Sequence, residues 1–273
     1  MLLENKFVTI LINMKLENRV MEKTDFEDFA LPLVQSLALF IKTKRSLMKV
    51  EVKKDSSLVT NLDKEVELKL REAFSQKYQD LNIVGEEFED KKGTSEYSLY
   101  IDPIDGTSAF VSKGYDYAIS LGVLKNGIPH YGLVYDVAND FYYMNGETNA
   151  KLNSSNELYI QGNPKIQRLN FSDLIIKYSP GFATALGLIR PSSGSIRSYI
   201  QTSKNIKKWD FIGALGHLKY CDHIEIDFLQ EGVSMDTNFL EKKEVIGLIS
   251  YRKDDSKFEH WYSQNKKNLQ RLI

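Results

Sequence analysis

Residues 99–110 read Leu-Tyr-Ile-Asp-Pro-Ile-Asp-Gly-Thr-Ser-Ala-Phe. Two carboxylates, Asp102 and Asp105, stand three residues apart behind an apolar run. Carboxylates are hard oxygen ligands suited to Mg²⁺. The Asp-Gly-Thr turn offers backbone N–H groups and a hydroxyl, the kind of donors that hold phosphate at helix N-termini and nests. A strand that ends in metal ligands and runs into an anion-binding turn has the parts of a phosphoryl-transfer site. Asp-Pro and Asp-Gly are also ordinary turn dipeptides, so the reading needs further acids elsewhere.

Three other segments supply them. In Lys54-Asp-Ser-Ser-Leu-Val-Thr-Asn-Leu-Asp63, Thr60 or Asn61 can cap a helix, with Asp63 favoured by its dipole. Gly85-Glu86-Glu87 follows a short apolar strand and puts an acid at its end, where acids are commonly just solvated. Trp209-Asp210 precedes the small Gly213 and Ala214 that a packed helix wants, and Asp at a helix start is a routine cap. Singly, each has a structural explanation. Acids from all these segments, where a fold gathers them, repel one another and resist desolvation without cations. Bound Mg²⁺ relieves that cost.

The elements that position these residues are partly legible. Thr24-Asp-Phe-Glu27 has the form of a capping box. Apolar residues then recur from Phe26 to Ile41 at helical spacing, with Pro32 predicting a kink or a late start. A second helix is predicted over Leu62–Tyr78. Strands are predicted at Leu81–Val84, Tyr97–Ile101, Tyr117–Leu124, His130–Tyr135 and Phe141–Met144, the last three forming a meander through Asn126-Gly127 and Asn139-Asp140 turns. The second half offers strands at Leu174–Tyr178, His223–Phe228 and Val245–Tyr251, and helices at Trp209–Tyr220 and Phe258–Leu272. Irregular alternation of helices and strands predicts layered α/β packing.

At 273 residues the chain can hold one large domain or two small ones, and its formal net charge is −1. No polybasic surface points to nucleic acid or membrane. The lone Cys221 cannot form an internal disulfide, fits a reducing compartment and reads as a small buried apolar residue. The apolar stretch Phe7–Ile12 is short and lacks a cleavage site, which argues against a secretory signal. Met14 is a second candidate start, making residues 1–13 a candidate extension. His130, His217, His223 and His260 show no zinc spacing. His217 reads as a packing or surface residue. Ser192-Ser-Gly-Ser195 lacks the glycine pattern of a nucleophile elbow.

The string Asp-Pro-Ile-Asp-Gly-Thr behind a strand resembles the signature of the inositol monophosphatase family of metal-dependent phosphatases. Val59-Thr60-x-x-Asp63, Glu86 and Trp209-Asp210 resemble that family's other segments, in its order. The resemblance is good over residues 50–147, fades, and returns at Gly194-Ser195 and Trp209-Asp210. It implies a single phosphatase domain over residues 1–273, folded as an α-β-α-β-α sandwich. Residues 1–150 form its metal and phosphate half and 151–273 its substrate-pocket half. It also implies two or three Mg²⁺ ions, a small phosphorylated metabolite as substrate, a homodimer and a cytoplasmic location.

Metal-ion catalysis then assigns roles. One Mg²⁺, held by Glu86, Asp102 and the Ile104 carbonyl, activates a water that Glu86 and Thr107 orient. A second, held by Asp102, Asp105 and Asp210, stabilises the leaving alkoxide, about 3.5–4 Å from the first. Gly106 and Thr107 N–H groups hold the phosphate beside Asp105. Asp63 lies near a third cation or behind the ligands, and Glu87 behind the ligands or on the surface. Gly194 and Ser195 match a family stretch that lines the substrate pocket. The expected activity is hydrolysis of a polyol or sugar monophosphate. Ser108 and Ala109 match neither that branch nor the 3′(2′),5′-bisphosphate nucleotidase branch, which stays a rival. The other rival is a protein-binding role in transcription.

Overall fold

The computed structural model describes residues 20–151, 154–169, 175–178, 182–234, 239 and 245–273. Phe7–Ile12, the 1–13 extension and Leu174 lie outside them. The first long helix, α1 (Lys23–Lys44), buries Phe26, Phe29, Ala30, Leu33, Val34, Leu37, Ala38 and Ile41 along one stripe. It runs through Pro32, so there is no late start. The Thr24 capping box does not form: Glu22 holds the N-cap position without a side-chain bond. Glu27 is engaged elsewhere, 3.2 Å from Lys23 Nζ and accepting from Asn145 Nδ2 at 2.8 Å.

A small hairpin follows, β1 (Val50–Val52) paired antiparallel with β2 (Leu58–Thr60). Next come α2 (Asn61–Lys77) and β3 (Asn82–Gly85). Strand β4 (Tyr97–Asp105) does not stop before the aspartates but carries them, with a register shift between Asp102 and Asp105. The short α3 (Thr107–Ser112) leads into β5 (Ala118–Lys125), β6 (Ile128–Asp136), β7 (Phe141–Met144) and β8 (Glu147–Thr148). These make a six-stranded sheet in the order β3-β4-β5-β6-β7-β8, antiparallel except for β3 on β4.

The second half holds β9 (Glu157–Gln161), β10 (Ile175–Tyr178), α4 (Thr184–Ile189), β11 (Ser198–Gln201), α5 (Trp209–Leu218), β12 (Ile224–Phe228), β13 (Leu248–Arg252) and α6 (Ser256–Leu272). Its five-stranded sheet runs β10-β9-β11-β13-β12. Val245, expected in β13, instead makes a bridge with Ile206.

Three apolar clusters set the layers. The first joins α1 and α2 to β3–β6, with Ile119, Leu121 and Val123 of β5 pointing into it. The second fills the space between the two sheets around α4 and α5. The third joins β9, β11 and β13 to α6 through Phe258, Trp261, Tyr262 and Leu269. The order is the α-β-α-β-α sandwich.

Helix α5 lies unusually close to the large sheet. A Cβ on Gly132 would stand 2.0 Å from the Gly213 carbonyl oxygen, and one on Gly122 would stand 2.5 Å from the Gly213 nitrogen. Backbone meets backbone here, so no side-chain rotation relieves an added methyl. Gly132→Ala is expected to cost at least about 2 kcal/mol by overpacking. Thermal unfolding followed by circular dichroism should show a midpoint lower by several degrees; an unchanged midpoint would contradict this packing.

Candidate active site

Thr60 ends β2 in an extended conformation, and its hydroxyl accepts from the Leu62 and Asp63 N–H groups. Asp63 Oδ2 accepts in return from the Thr60 N–H at 2.9 Å, closing a capping box at the start of α2. Both parts of that expectation hold: Thr60 is the cap and Asp63 sits in the first turn. The other Asp63 oxygen faces the Thr107 hydroxyl at 3.1 Å, while the Ile104 carbonyl lies 3.0 Å from the same hydroxyl. Thr107 thus has one proton and two acceptors. Asp63 stands behind Thr107 rather than on the cavity wall.

The shift in β4 turns Asp102 and Asp105 towards the space beside α5. Asp102 Oδ1 accepts from the Ile104 N–H at 3.1 Å. Asp105 accepts from Thr184 N–H at 3.0 Å and Ala185 N–H at 2.7 Å, so a strand of the first half caps a helix of the second. Gly106 turns the chain with φ 83°. A Cβ there would stand 2.9 Å from the Asp116 carbonyl and 3.1 Å from the Ala183 backbone, so the turn requires glycine. Asp210 enters from the first turn of α5 and accepts from the Lys207 N–H at 2.8 Å.

These residues meet in one cavity of about 210 Å³, lined by Glu86, Asp102, Ile104, Asp105, Gly106, Thr107 and Asp210 together with Ser57, Leu58, Ser108, Gln161, Phe182 and Thr184. Two larger cavities, about 240 Å³ beside Tyr78 and about 300 Å³ beside Ile128, hold none of the proposed ligands. Gly194 and Ser195 do not line the site. The Gly194 carbonyl accepts from Ser155 N–H, and Ser195 Oγ lies 2.8 Å from Ser193 Oγ. The chain reaches the cavity earlier, at Phe182 and Thr184, because Asp105 draws the start of α4 onto itself.

Burial raises every acid of the group. Asp102 and Asp210 stand well above the ordinary carboxylate range, first from burial and then from the acids facing them, Glu86 and Asp105. Burial also pushes Asp105 up to about 7 and Asp63 up to about 6, against the hydrogen bonds each accepts. Glu86 is raised by burial in spite of Lys53, whose Nζ lies 2.7 Å from Glu86 Oε1 and 2.7 Å from Glu87 Oε1. Glu87 is not a surface residue, its side chain being only 4% exposed. His217 is a packing residue: buried, pushed down to about 3, its Nδ1 accepting from the Gly146 N–H.

An all-oxygen donor set of buried carboxylates fits a hard divalent cation. Among the described residues, no three such side chains converge closely enough as they stand to cage an ion; Glu86 in particular is turned to Lys53.

A sequence model described as the inositol monophosphatase family matches residues 22–216. The chain belongs to the inositol monophosphatase family. Its members are phosphoric monoester hydrolases, and the match extends on both sides of the segment where the resemblance is plain to the eye. An inositol-1-monophosphatase of Bacillus subtilis is 30% identical over 179 residues, 57% of this chain and 67% of that protein. A protein from Neisseria meningitidis named as a putative Nus factor SuhB is 34% identical over 108 residues, 39% of this chain and 41% of that protein. A staphylococcal inositol monophosphatase-1 structure superposes with TM-score 0.72 at 20% identity, covering 89% of this chain and 96% of that one, and so shares the fold. Among the described residues no helix is long and apolar enough to cross a membrane.

Proposed function

We propose that this member of the inositol monophosphatase family hydrolyses a small phosphorylated polyol or sugar with Mg²⁺. The observation that carries the reading is the meeting of Glu86, Asp102, Asp105 and Asp210 with Thr107 around one cavity. Glu86, Asp102, Asp105, Asp210 and the Ile104 carbonyl are the groups that would hold two Mg²⁺ ions. When bound, such ions lower the pKa of water and neutralise charge building on the phosphate and the leaving oxygen.

The chain's own residues do the rest. Asp63 and the Ile104 carbonyl fix the Thr107 hydroxyl, which orients the attacking water together with Glu86. Thr184 and Ala185 N–H groups pin Asp105 on both oxygens, each of which keeps a second lone pair. Gly106 and Thr107 N–H groups are the donors for phosphate oxygens, where charge spreads in the transition state. Gln161 is a fixed wall: its amide donates to the Phe182 carbonyl at 2.8 Å and accepts from the Tyr199 hydroxyl at 2.7 Å. A space of about 210 Å³ is smaller than the roughly 300–1,000 Å³ of pockets for drug-sized ligands, which supports a small phosphorylated substrate. We place the protein in the cytoplasm as a homodimer.

Purified protein with Mg²⁺ should release phosphate from at least one of inositol phosphate, histidinol phosphate, fructose bisphosphate and a bisphosphorylated nucleotide, and chelator should stop it. No release from any of them would sink the reading; preference for the nucleotide would move it to the bisphosphate nucleotidase branch. The likeness to SuhB, named as a Nus factor, supports a second reading, contact with transcription machinery. A pull-down that recovers polymerase components equally with Asp102→Asn protein would favour it.

A further inference from the structure

Lys53 stands at the tip of the β1–β2 hairpin. Its N–H donates to the Ser57 carbonyl at 2.8 Å and its carbonyl accepts from Ser56 N–H at 2.9 Å, so the backbone turn is closed on itself. The outer strand β1 is exposed along its whole length, with Val52 70% exposed. Yet the ammonium of this outlying turn reaches inward to both Glu86 and Glu87. Burial opposes the charge, but contact with the two carboxylates outweighs it and holds Lys53 well above the ordinary lysine value. Ser57 and Leu58, on the same hairpin, line the acid cavity.

The backbone on the carboxylate side of this contact is tied to α2. Glu87 N–H donates to Glu67 Oε2 at 2.8 Å, and Glu67 is fully buried. Arg71 donates from Nε to Glu67 Oε1 at 2.7 Å and from its terminal nitrogens to the Glu89 and Phe88 carbonyls at 3.0 and 3.1 Å. A Cβ on Gly85 would stand 2.1 Å from Glu67 Oε1, so strand and helix are in full contact just before Glu86. Lys53 thus reaches the two glutamates from an exposed hairpin, whereas the backbone that carries them is tied to α2.

We infer that Lys53 is a built-in competitor for the divalent cation at Glu86: its ammonium neutralises Glu86 and Glu87 in the cation-free protein and must withdraw for a cation to be bound there, freeing the hairpin tip. This rests on the reading of Glu86 as a metal ligand. The competition weakens apparent affinity by the fraction of molecules with Glu86 released. A latch closed in about nine molecules of ten weakens it about tenfold.

The experiment is titration of the full chain with Mg²⁺ and with Mn²⁺ in a calorimeter, for wild type, Lys53→Met and Lys53→Arg. The methionine keeps the apolar stem. Lys53→Met should bind the cation about tenfold tighter or more, and Lys53→Arg, which keeps the charge, should not. Hydrogen exchange at residues 50–60 separates contact from mere field. In wild type it should speed up on cation binding; in Lys53→Met it should be fast already and insensitive to the cation. Unchanged or weaker binding by folded Lys53→Met overturns the inference, as does hairpin exchange in wild type that ignores the cation. A wild type that binds no divalent cation at all overturns the functional reading itself, and this inference with it.

Discussion

Asp102→Asn should largely abolish phosphate release while making the cation-free protein harder to melt. The two effects have one origin. Asp102 is buried among Glu86, Asp105, Asp210 and Asp63, with its pKa driven upward by burial and by those neighbours. Each pKa unit of such a rise corresponds to about 1.4 kcal/mol of unfavourable free energy once the group is forced to ionise. The amide keeps an oxygen to accept the Ile104 N–H and removes the charge. On the proposed reading of Asp102 as a metal ligand, catalysis falls for the same reason: an amide oxygen is a poor substitute for an anionic one. A loss of about 10²–10³-fold is expected, the scale on which electrostatic stabilisation of a transition state operates. Phosphate release and differential scanning calorimetry in chelator check the pair. A variant that is inactive and also less stable would show that Asp102 contributes packing rather than ligand charge.

The second expected result concerns pH. Asp63 and Asp105 are raised to about 6 and about 7, above the values near 4 they take in an unfolded chain. Between those limits the folded protein binds more protons than the unfolded one, so stability falls as pH rises from about 4 to about 7. Asp102 and Asp210, also held well above the ordinary carboxylate range, add to the loss. The sum for Asp63 and Asp105, about 1.4 kcal/mol for each pKa unit, is on the order of 7 kcal/mol. Mg²⁺ binding only the folded state offsets this by mass action. Melting temperatures in chelator should therefore drop from pH 5 to pH 8, and added Mg²⁺ should raise them far more at pH 8 than at pH 5. A metal effect independent of pH would mean that these acids are not where the ion sits.

Much of the site was readable because its residues do two jobs with one sequence pattern. Asp63 was legible as a helix-start acid, and it is one, capped by Thr60. The central motif was legible as a strand running into a turn, although the strand continues to Asp105 through a register shift that periodicity does not reveal. Trp209-Asp210 was legible through the family resemblance, and the Gly213 that follows it is where α5 touches the sheet. Ser57, Gln161, Phe182 and Thr184 were not. Gln161 and Thr184 sit at the ends of short elements of five and six residues, too brief for a repeat to emerge. What places them is hydrogen bonding across the fold, such as Asp105 to Thr184, which leaves no trace in local spacing. Gly194 and Ser195 line no part of this cavity, which the chain reaches at Phe182 and Thr184.

The bond from Asp105 to the start of α4 spans 79 residues, and that to Ala185 spans 80. Non-local contacts of this kind form late, after loop closure has been overcome. During synthesis the N-terminal acids emerge well before Thr184 and Asp210 do. A ribosome-bound chain ending near residue 150 would thus expose Glu86, Asp102 and Asp105 without the groups that pin and complete them. The centre comes into being only when the last third of the polypeptide docks, which ties the onset of chemistry to completion of the fold.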